Sequence, residues 1–231
     1  MKFGVVIFPG SNCDHDVIYV LKEILDQDVI ELWHKDISLQ DVDAIILPGG
    51  FSFGDYLRSG AIARHSSIME KVIEFANSGG FVFGICNGFQ VLCETGLLPG
   101  ALLHNDNQKF ICKNTFIKAE NKNTIYSENG RKTLKIPIAH GEGRYYTDKK
   151  TLETLQINNQ ILFRYCTEDG TISQDANPNG SVENIAGICN LNKNVYGMMP
   201  HPERASDDEL GNTDGRFIFE TIIKNLKSQK Q

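Results

Sequence analysis

The sequence lacks most features that would mark a secreted, membrane-bound or nucleic-acid-binding protein. Its cysteines, Cys13, Cys86, Cys93, Cys112, Cys166 and Cys189, form no C-x-x-C pair, so neither a zinc site nor a disulfide framework is expected. A reduced, cytoplasmic setting follows as the simplest expectation. Positive charge is not in excess: 23 Lys and Arg stand against 29 Asp and Glu, a net charge of −6, which argues against a nucleic-acid partner. No apolar run is long enough to span a membrane, and the stretch from Met1 to Phe8 is too short for a signal peptide. There is no Walker-type phosphate loop, repeat, low-complexity tract or linker. What remains is a chain of 231 residues, enough to bury one sizeable core, and a single domain over residues 1–231 is expected.

What the sequence does contain is alternation. The β-branched and aromatic run Phe3 to Phe8 empties into the turn Pro9-Gly10-Ser11-Asn12, as a buried parallel strand would. Asp14 or Asp16 then caps a helix with Val17, Val20, Leu21, Ile24 and Leu25 at helical spacing. Strands are predicted at Val29 to Trp33, Asp43 to Leu47 and Phe81 to Ile85, with a helix over Ala61 to Asn77 that ends at Ser78-Gly79-Gly80. Such βα repetition predicts an α/β fold: a doubly wound, mainly parallel sheet with helices on both faces and the strand ends along one ligand-binding rim. The second half adds shorter strands at Ala101 to His104, Lys109 to Ile117, Leu134 to Ala139, Ile161 to Cys166, Ile185 to Asn190 and Val195 to Met198. Polar loops are expected at Asn121 to Arg131 and Asp175 to Ser181, and a closing helix at Asp214 to Lys227 with Phe217, Ile218, Ile222 and Leu226 on one face.

Three segments on the rim carry chemistry. Gly84-Ile85-Cys86-Asn87-Gly88 joins an apolar run to an amphipathic one, and a strand-to-helix elbow of this kind lifts a nucleophile above the sheet with backbone N–H groups behind it. Read alone, it is equally a βα turn around a small buried thiol. Gly49-Gly50 brings bare backbone close to a ligand, so an N–H there and the N–H of Asn87 form a candidate oxyanion pair; the alternative is a tight turn. Far downstream, Pro200-His201-Pro202-Glu203 places a carboxylate two residues from an imidazole, on the same side if the segment is extended. A nucleophile, a base and a group to orient the base are the parts of a hydrolytic triad, and their joint occurrence weighs against three separate accidents.

The elbow together with His201-Pro202-Glu203 resembles the class I glutamine amidotransferases. Within that class, Phe8 to Asp14, Leu47 to Arg58, Gly96 to Leu103, Ala139 to Gly143 and Gly197 to Arg204 are similar to the glutaminase subunits of phosphoribosylformylglycinamidine synthase. The resemblance implies a flavodoxin-like amidotransferase fold and a Cys86, His201, Glu203 triad releasing ammonia from L-glutamine. It further implies oxyanion and substrate-binding roles for Gly50, Asn87, Gln90 and His140, with no metal and no cofactor in this chain. ATP and Mg are implied on a large synthetase subunit that converts formylglycinamide ribonucleotide to the formylglycinamidine in purine synthesis, with a small third subunit completing the complex. Phe53 stands where the resemblance calls for Tyr.

Two other readings share parts of this pattern. A different cysteine-elbow hydrolase or chaperone would have Cys86 but no need of the late His-x-Glu, and a non-catalytic binding subunit would need no triad. Cys93 is expected in the core. His140 reads equally as a substrate contact or as a residue that shapes its loop. A solvated charge is the usual reading of Asp55, Arg58 and Arg204 taken singly, with partner contacts as the alternative, and Asp207 to Glu209 reads as a solvated acidic loop.

Overall fold

The computed structural model describes residues 1–120 and 133–229, so the loop expected at Asn121 to Arg131 lies outside the described residues. The chain forms two compact units, Met1–Leu102 with Ile188–Met199, and Leu103–Gly187 with Pro200–Gln231.

The first unit opens with β1 (Lys2–Ile7), α1 (Asp14–Tyr19, continued by a π-turn over Val20–Ile24), β2 (Asp28–Trp33) and β3 (Ala44–Leu47). After these come α2 (Ser67–Asn77), β4 (Phe81–Ile85) and α3 (Asn87–Glu94). Every residue of β3 and β4 is buried, so both faces of these strands are covered, as a parallel sheet between helices requires. The chain then runs through β5 (Ala101–Leu103), β6 (Ile111–Ala119), β7 (Leu134–His140), β8 (Arg144–Tyr146), α4 (Lys149–Ile157), β9 (Ile161–Cys166) and β10 (Ile185–Cys189). It returns to the first unit with β11 (Val195–Met198) and ends in α5 (Asp214–Ser228) of the second. The first unit's strands lie in the order β2-β1-β3-β4-β11, with parallel pairing throughout. The fold is α/β with a mainly parallel sheet, as the sequence predicts.

The second unit is antiparallel, in the order β9-β6-β7. β7 carries Pro137, which cannot donate to a further strand. The segment before α5 covers β7 instead: Asp214 accepts from Lys135 N at 2.7 Å, Asn212 donates to Lys135 O at 2.7 Å, and His201 N donates to Pro137 O at 2.8 Å.

Several local expectations are corrected. The helix expected over Ala61 to Asn77 is interrupted, because Ser66 is extended (φ −69°, ψ 145°) and starts α2 as its N-terminal neighbour, leaving only a 3₁₀ turn at Ala63–His65. The expected face of α5 holds at Ile218 and Ile222, which are buried together with Phe219 and Ile223, whereas Phe217 and Leu226 are only half-buried. β8 and α4 were not expected from the sequence. Only Leu155 of α4 is buried, so its apolar periodicity is weak, although Asp148 caps it by accepting from Thr151 N.

Candidate active site

The elbow forms as the sequence predicts. Cys86 sits between β4 and α3 with φ 49° and ψ −104°, a left-handed conformation that a side chain adopts only under constraint. The constraint is visible on both sides: Cys86 N donates to Met198 O at 2.8 Å, and Cys86 O accepts from Gln90 N at 3.1 Å. The flanking glycines are there for closeness. A Cβ on Gly88 would lie 2.0 Å from Leu47 O, and one on Gly84 would lie 2.6 Å from Leu92 Cδ1. No other residue lets α3 pack this tightly on β3 and β4. Cys86 is buried, and the first amides of α3 face the elbow.

Gly50 belongs to the same unit. Its φ of +129° and a would-be Cβ 2.5 Å from Asn12 N admit only glycine, so the second rim loop is packed against the Ser11-Asn12 turn. Asn87 is buried, and its carboxamide reaches Ser52 and Asp55 of that loop as well as Gln90. Gln90 is also buried, with Oε1 turned to Asn87 Nδ2 at 2.9 Å. Phe53, where Tyr was expected, packs edge-on against His34 at 5.3 Å between ring centroids, within an aromatic cluster that includes Phe8. Neither Asp55 nor Arg58 is a bare solvated charge. Asp55 accepts from Asn87, and Arg58 pairs with Glu94 through two contacts of 2.6 and 2.7 Å. Cys93 is half-buried, with its sulfur 3.9 Å from Pro99 O, and desolvation pushes its thiol above the ordinary range. Its contact with the Pro99 carbonyl fits the packing role expected of it.

The second unit holds the imidazoles. His201 and Glu203 are buried and joined at 2.6 Å between Nδ1 and Oε1. The expected alignment is reached by a different route, since Pro202–Ala205 is a 3₁₀ turn and not an extended segment. Pro202 starts the turn, and Gly215 of α5 packs so closely on it that a Cβ would lie 1.9 Å from Pro202 O. An ionised carboxylate accepts only, so Nδ1 of His201 carries the proton and Nε2 is left to exchange one.

His140 ends β7, and its tautomer follows from Asn105. Asn105 Nδ2 donates to the carbonyls of Lys109 and His140 at 2.8 and 2.9 Å, so Oδ1 must be the atom facing Gly143 N and His140 Nδ1, each at 3.1 Å. His140 Nδ1 therefore donates and Nε2 is a lone pair. Burial, then the charge of His201, lower the His140 pKa to about 4, so the ring is neutral near pH 7. No local sequence signal marks Asn105, which fixes this ring. A cavity of about 500 Å³ in the same unit is lined by His201 and Arg204, with Cys112, Lys135 and Asp214. Asp207 caps its own turn by accepting from Glu209 N, and Asp208 pairs with Arg216 at 2.8 Å, so this acidic stretch is tied as well as solvated.

Residues 1–220 match the CobB/CobQ-like glutamine amidotransferase domain family. The chain belongs to that family. Relatives of this amidotransferase include the phosphoribosylformylglycinamidine synthase subunit PurQ of Koribacter versatilis, 56% identical over 96% of this chain and 97% of the relative. The subunit PurQ of Salinibacter ruber is 53% identical over 97% of each chain. Among solved structures, a chain of PurLQS from Thermotoga maritima superposes with a TM-score of 0.84 at 40% identity, covering 97% of this chain and 98% of that one. The glutamine amidotransferase fold expected for the elbow and the His-x-Glu segment is thus the fold of a near-full-length relative.

Proposed function

We propose that this amidotransferase is the glutaminase subunit of phosphoribosylformylglycinamidine synthase, hydrolysing L-glutamine to glutamate and ammonia. The observation that carries the reading is the strained, glycine-framed Cys86 elbow in a chain 53–56% identical, over nearly its full length, to subunits of that name. The family match runs through both compact units, which supports reading residues 1–231 as one functional domain.

In the reaction, Cys86 attacks the side-chain amide of glutamine. The tetrahedral oxyanion is held by the backbone N–H groups of Gly50 and Asn87, and His201 Nε2 carries the cysteine proton to the departing ammonia. A γ-glutamyl thioester remains. His201 then draws a proton from water for hydrolysis, while Glu203 holds its ring and stabilises the positive charge that develops on it. Support for pairing Cys86 with His201 comes from the chain path: Cys86 N binds Met198 O, and His201 follows three residues later. Gln90 and the lone pair of His140 complete the substrate contacts in this reading. The ammonia passes to a large synthetase subunit that uses ATP and Mg to aminate formylglycinamide ribonucleotide, with a small third subunit in the complex. The setting is cytoplasmic. No helix among the described residues is long and apolar enough to cross a membrane, which agrees with that setting.

The test is Cys86→Ala in the presence of the synthetase subunit. Amidine formation from glutamine is expected to vanish while formation from ammonium salts persists. Failure of ammonium to rescue an assembled complex would assign Cys86 another task. As a companion measurement, an electrophilic glutamine analogue should label Cys86, whereas the exposed Cys112 should react only with a general thiol reagent.

A further inference from the structure

The two proposed oxyanion donors lie on different loops, and one side chain ties those loops together. Asn87 is buried, and all its hydrogen-bonding positions are used: Oδ1 accepts from Ser52 N at 3.3 Å and Ser52 Oγ at 2.5 Å, while Nδ2 donates to Asp55 Oδ1 at 3.2 Å and Gln90 Oε1 at 2.9 Å. The backbone N–H of Ser52 can only donate and the Asp55 carboxylate can only accept, so the amide has one orientation. Three of these contacts go to a single loop, whose residues Ser52 and Asp55 follow closely on Gly50.

That loop is not in a conformation it would adopt unaided. Phe53, Asp55 and Leu57 have φ of 54°, 53° and 71°, left-handed values without glycine's freedom. Such a conformation persists only where the surroundings impose it. Phe51 and Phe53 donate to Gly10 O and Pro9 O at 2.9 and 2.6 Å, which fixes the loop to the first turn of the chain and not to the elbow. Arg58 pairs in bidentate fashion with Glu94, which joins the loop to the last residue of α3 and not to the elbow end of that helix. The buried Asn87 contacts tie the loop directly to the peptide beside Cys86.

We propose that Asp55, with Ser52, is a positioning residue for the glutaminase reaction. Acting through the Asn87 carboxamide, it holds the Gly50 loop in register with the Asn87 peptide, so that two backbone N–H groups converge on one oxyanion. Asp55 touches no reacting atom. The proposal rests on the glutaminase reading, and it predicts a loss in kcat with KM preserved, because the oxyanion exists only beyond the ground state.

The experiment uses the full chain with its synthetase partner. Asp55→Ala is expected to lower kcat for glutamate release on the order of tenfold with KM unchanged, short of the hundredfold or more for deleting an oxyanion donor. Ser52→Ala should behave alike. Asp55→Asn keeps an acceptor oxygen and should recover most of the rate. Arg58→Ala, on the same loop, should stay within about twofold of wild type, because its bidentate partner Glu94 lies at the end of α3 away from the Asn87 peptide. Hydrogen exchange should rise in Asp55→Ala over residues 49–58 and 86–90 together. Wild-type kcat in Asp55→Ala and Ser52→Ala, an equal loss in Arg58→Ala, or unchanged exchange would each overturn the proposal. Absence of glutamate release by the wild-type chain with its partner would instead refute the glutaminase reading; the exchange measurement judges the tether whatever the activity.

Discussion

His201 Nδ1 lies 2.6 Å from Glu203 Oε1, with both side chains buried and Pro202 between them. In the proposed reaction this carboxylate holds the ring in the tautomer that leaves Nε2 for proton transfer and offsets the charge that the ring gains. Glu203→Gln keeps the size and removes the charge. Glutamate release should fall by about 10²- to 10⁴-fold, with thermal unfolding of the variant confirming that the fold survives. Activity within tenfold of wild type would mean that Glu203 is structural.

Gly88 offers a test of the elbow itself. Its added Cβ would sit 2.0 Å from the backbone oxygen of Leu47, which cannot move aside as a side-chain tip would. Gly88→Ala should therefore destabilise the protein by more than about 3 kcal/mol, at the severe end for a point substitution, and abolish activity with it. Gly79→Ala is the comparison, since no atom lies within 4 Å and only the positive φ of +96° is at stake. Urea unfolding of the two variants should separate steric from purely conformational cost; equal midpoints would contradict the close approach of α3 to β3.

The sheet of the first unit was legible because burial on both faces writes itself as unbroken apolar runs, as in Ala44 to Leu47 and Phe81 to Ile85. The elbow and the His201–Glu203 pair were legible because Cys86 and His201 sit in short segments whose glycines and prolines fix the backbone. What the sequence hid was long-range polar contact. Nothing local announces that Asn105 orients His140 or that Asn87 reaches Asp55, because an asparagine in a polar stretch looks the same whether it faces solvent or is buried. Helix α4 escaped notice for a related reason: a surface helix with one buried residue, Leu155, has almost no periodicity to read. The break at Ser66 was masked by apolar residues that continue at helical spacing on both sides of it.

His140 predicts a pH dependence of stability. Its folded pKa, about 4, lies below the ordinary value of 6.5. As pH falls through 6.5 the unfolded chain takes up a proton that the folded chain refuses until near 4. This contribution is thus fully present above 6.5 and lost as pH falls toward 4, amounting to about 3 kcal/mol at the limit. His140→Gln should start less stable at pH 7, having lost a buried contact, yet lose less on acidification. Urea midpoints from pH 7 to 4.5 would show the difference, and parallel curves for the two proteins would count against a buried neutral ring.

The isolated chain is expected to be a poor glutaminase and to reach full turnover only with its synthetase partner. The proposed oxyanion site depends on two glycine-rich loops, Pro48 to Gly54 and Gly84 to Gly88, and the first continues into the left-handed residues Asp55 and Leu57. Glycine-rich backbone has other arrangements open to it, and in those one donor is misdirected. A partner that prefers the aligned loop shifts this equilibrium by no more than its differential affinity for the two arrangements. A hundredfold activation needs roughly 2.7 kcal/mol of such preference, modest for a protein interface. The advantage is that glutamine is not hydrolysed where ammonia has no acceptor. Glutamate release should be measured for the chain alone, then with synthetase, nucleotide and acceptor present. Full turnover by the lone chain would show that the aligned loop is already its ground state, and would end partner-gated alignment while leaving the proposed roles of Cys86, His201 and Glu203 untouched.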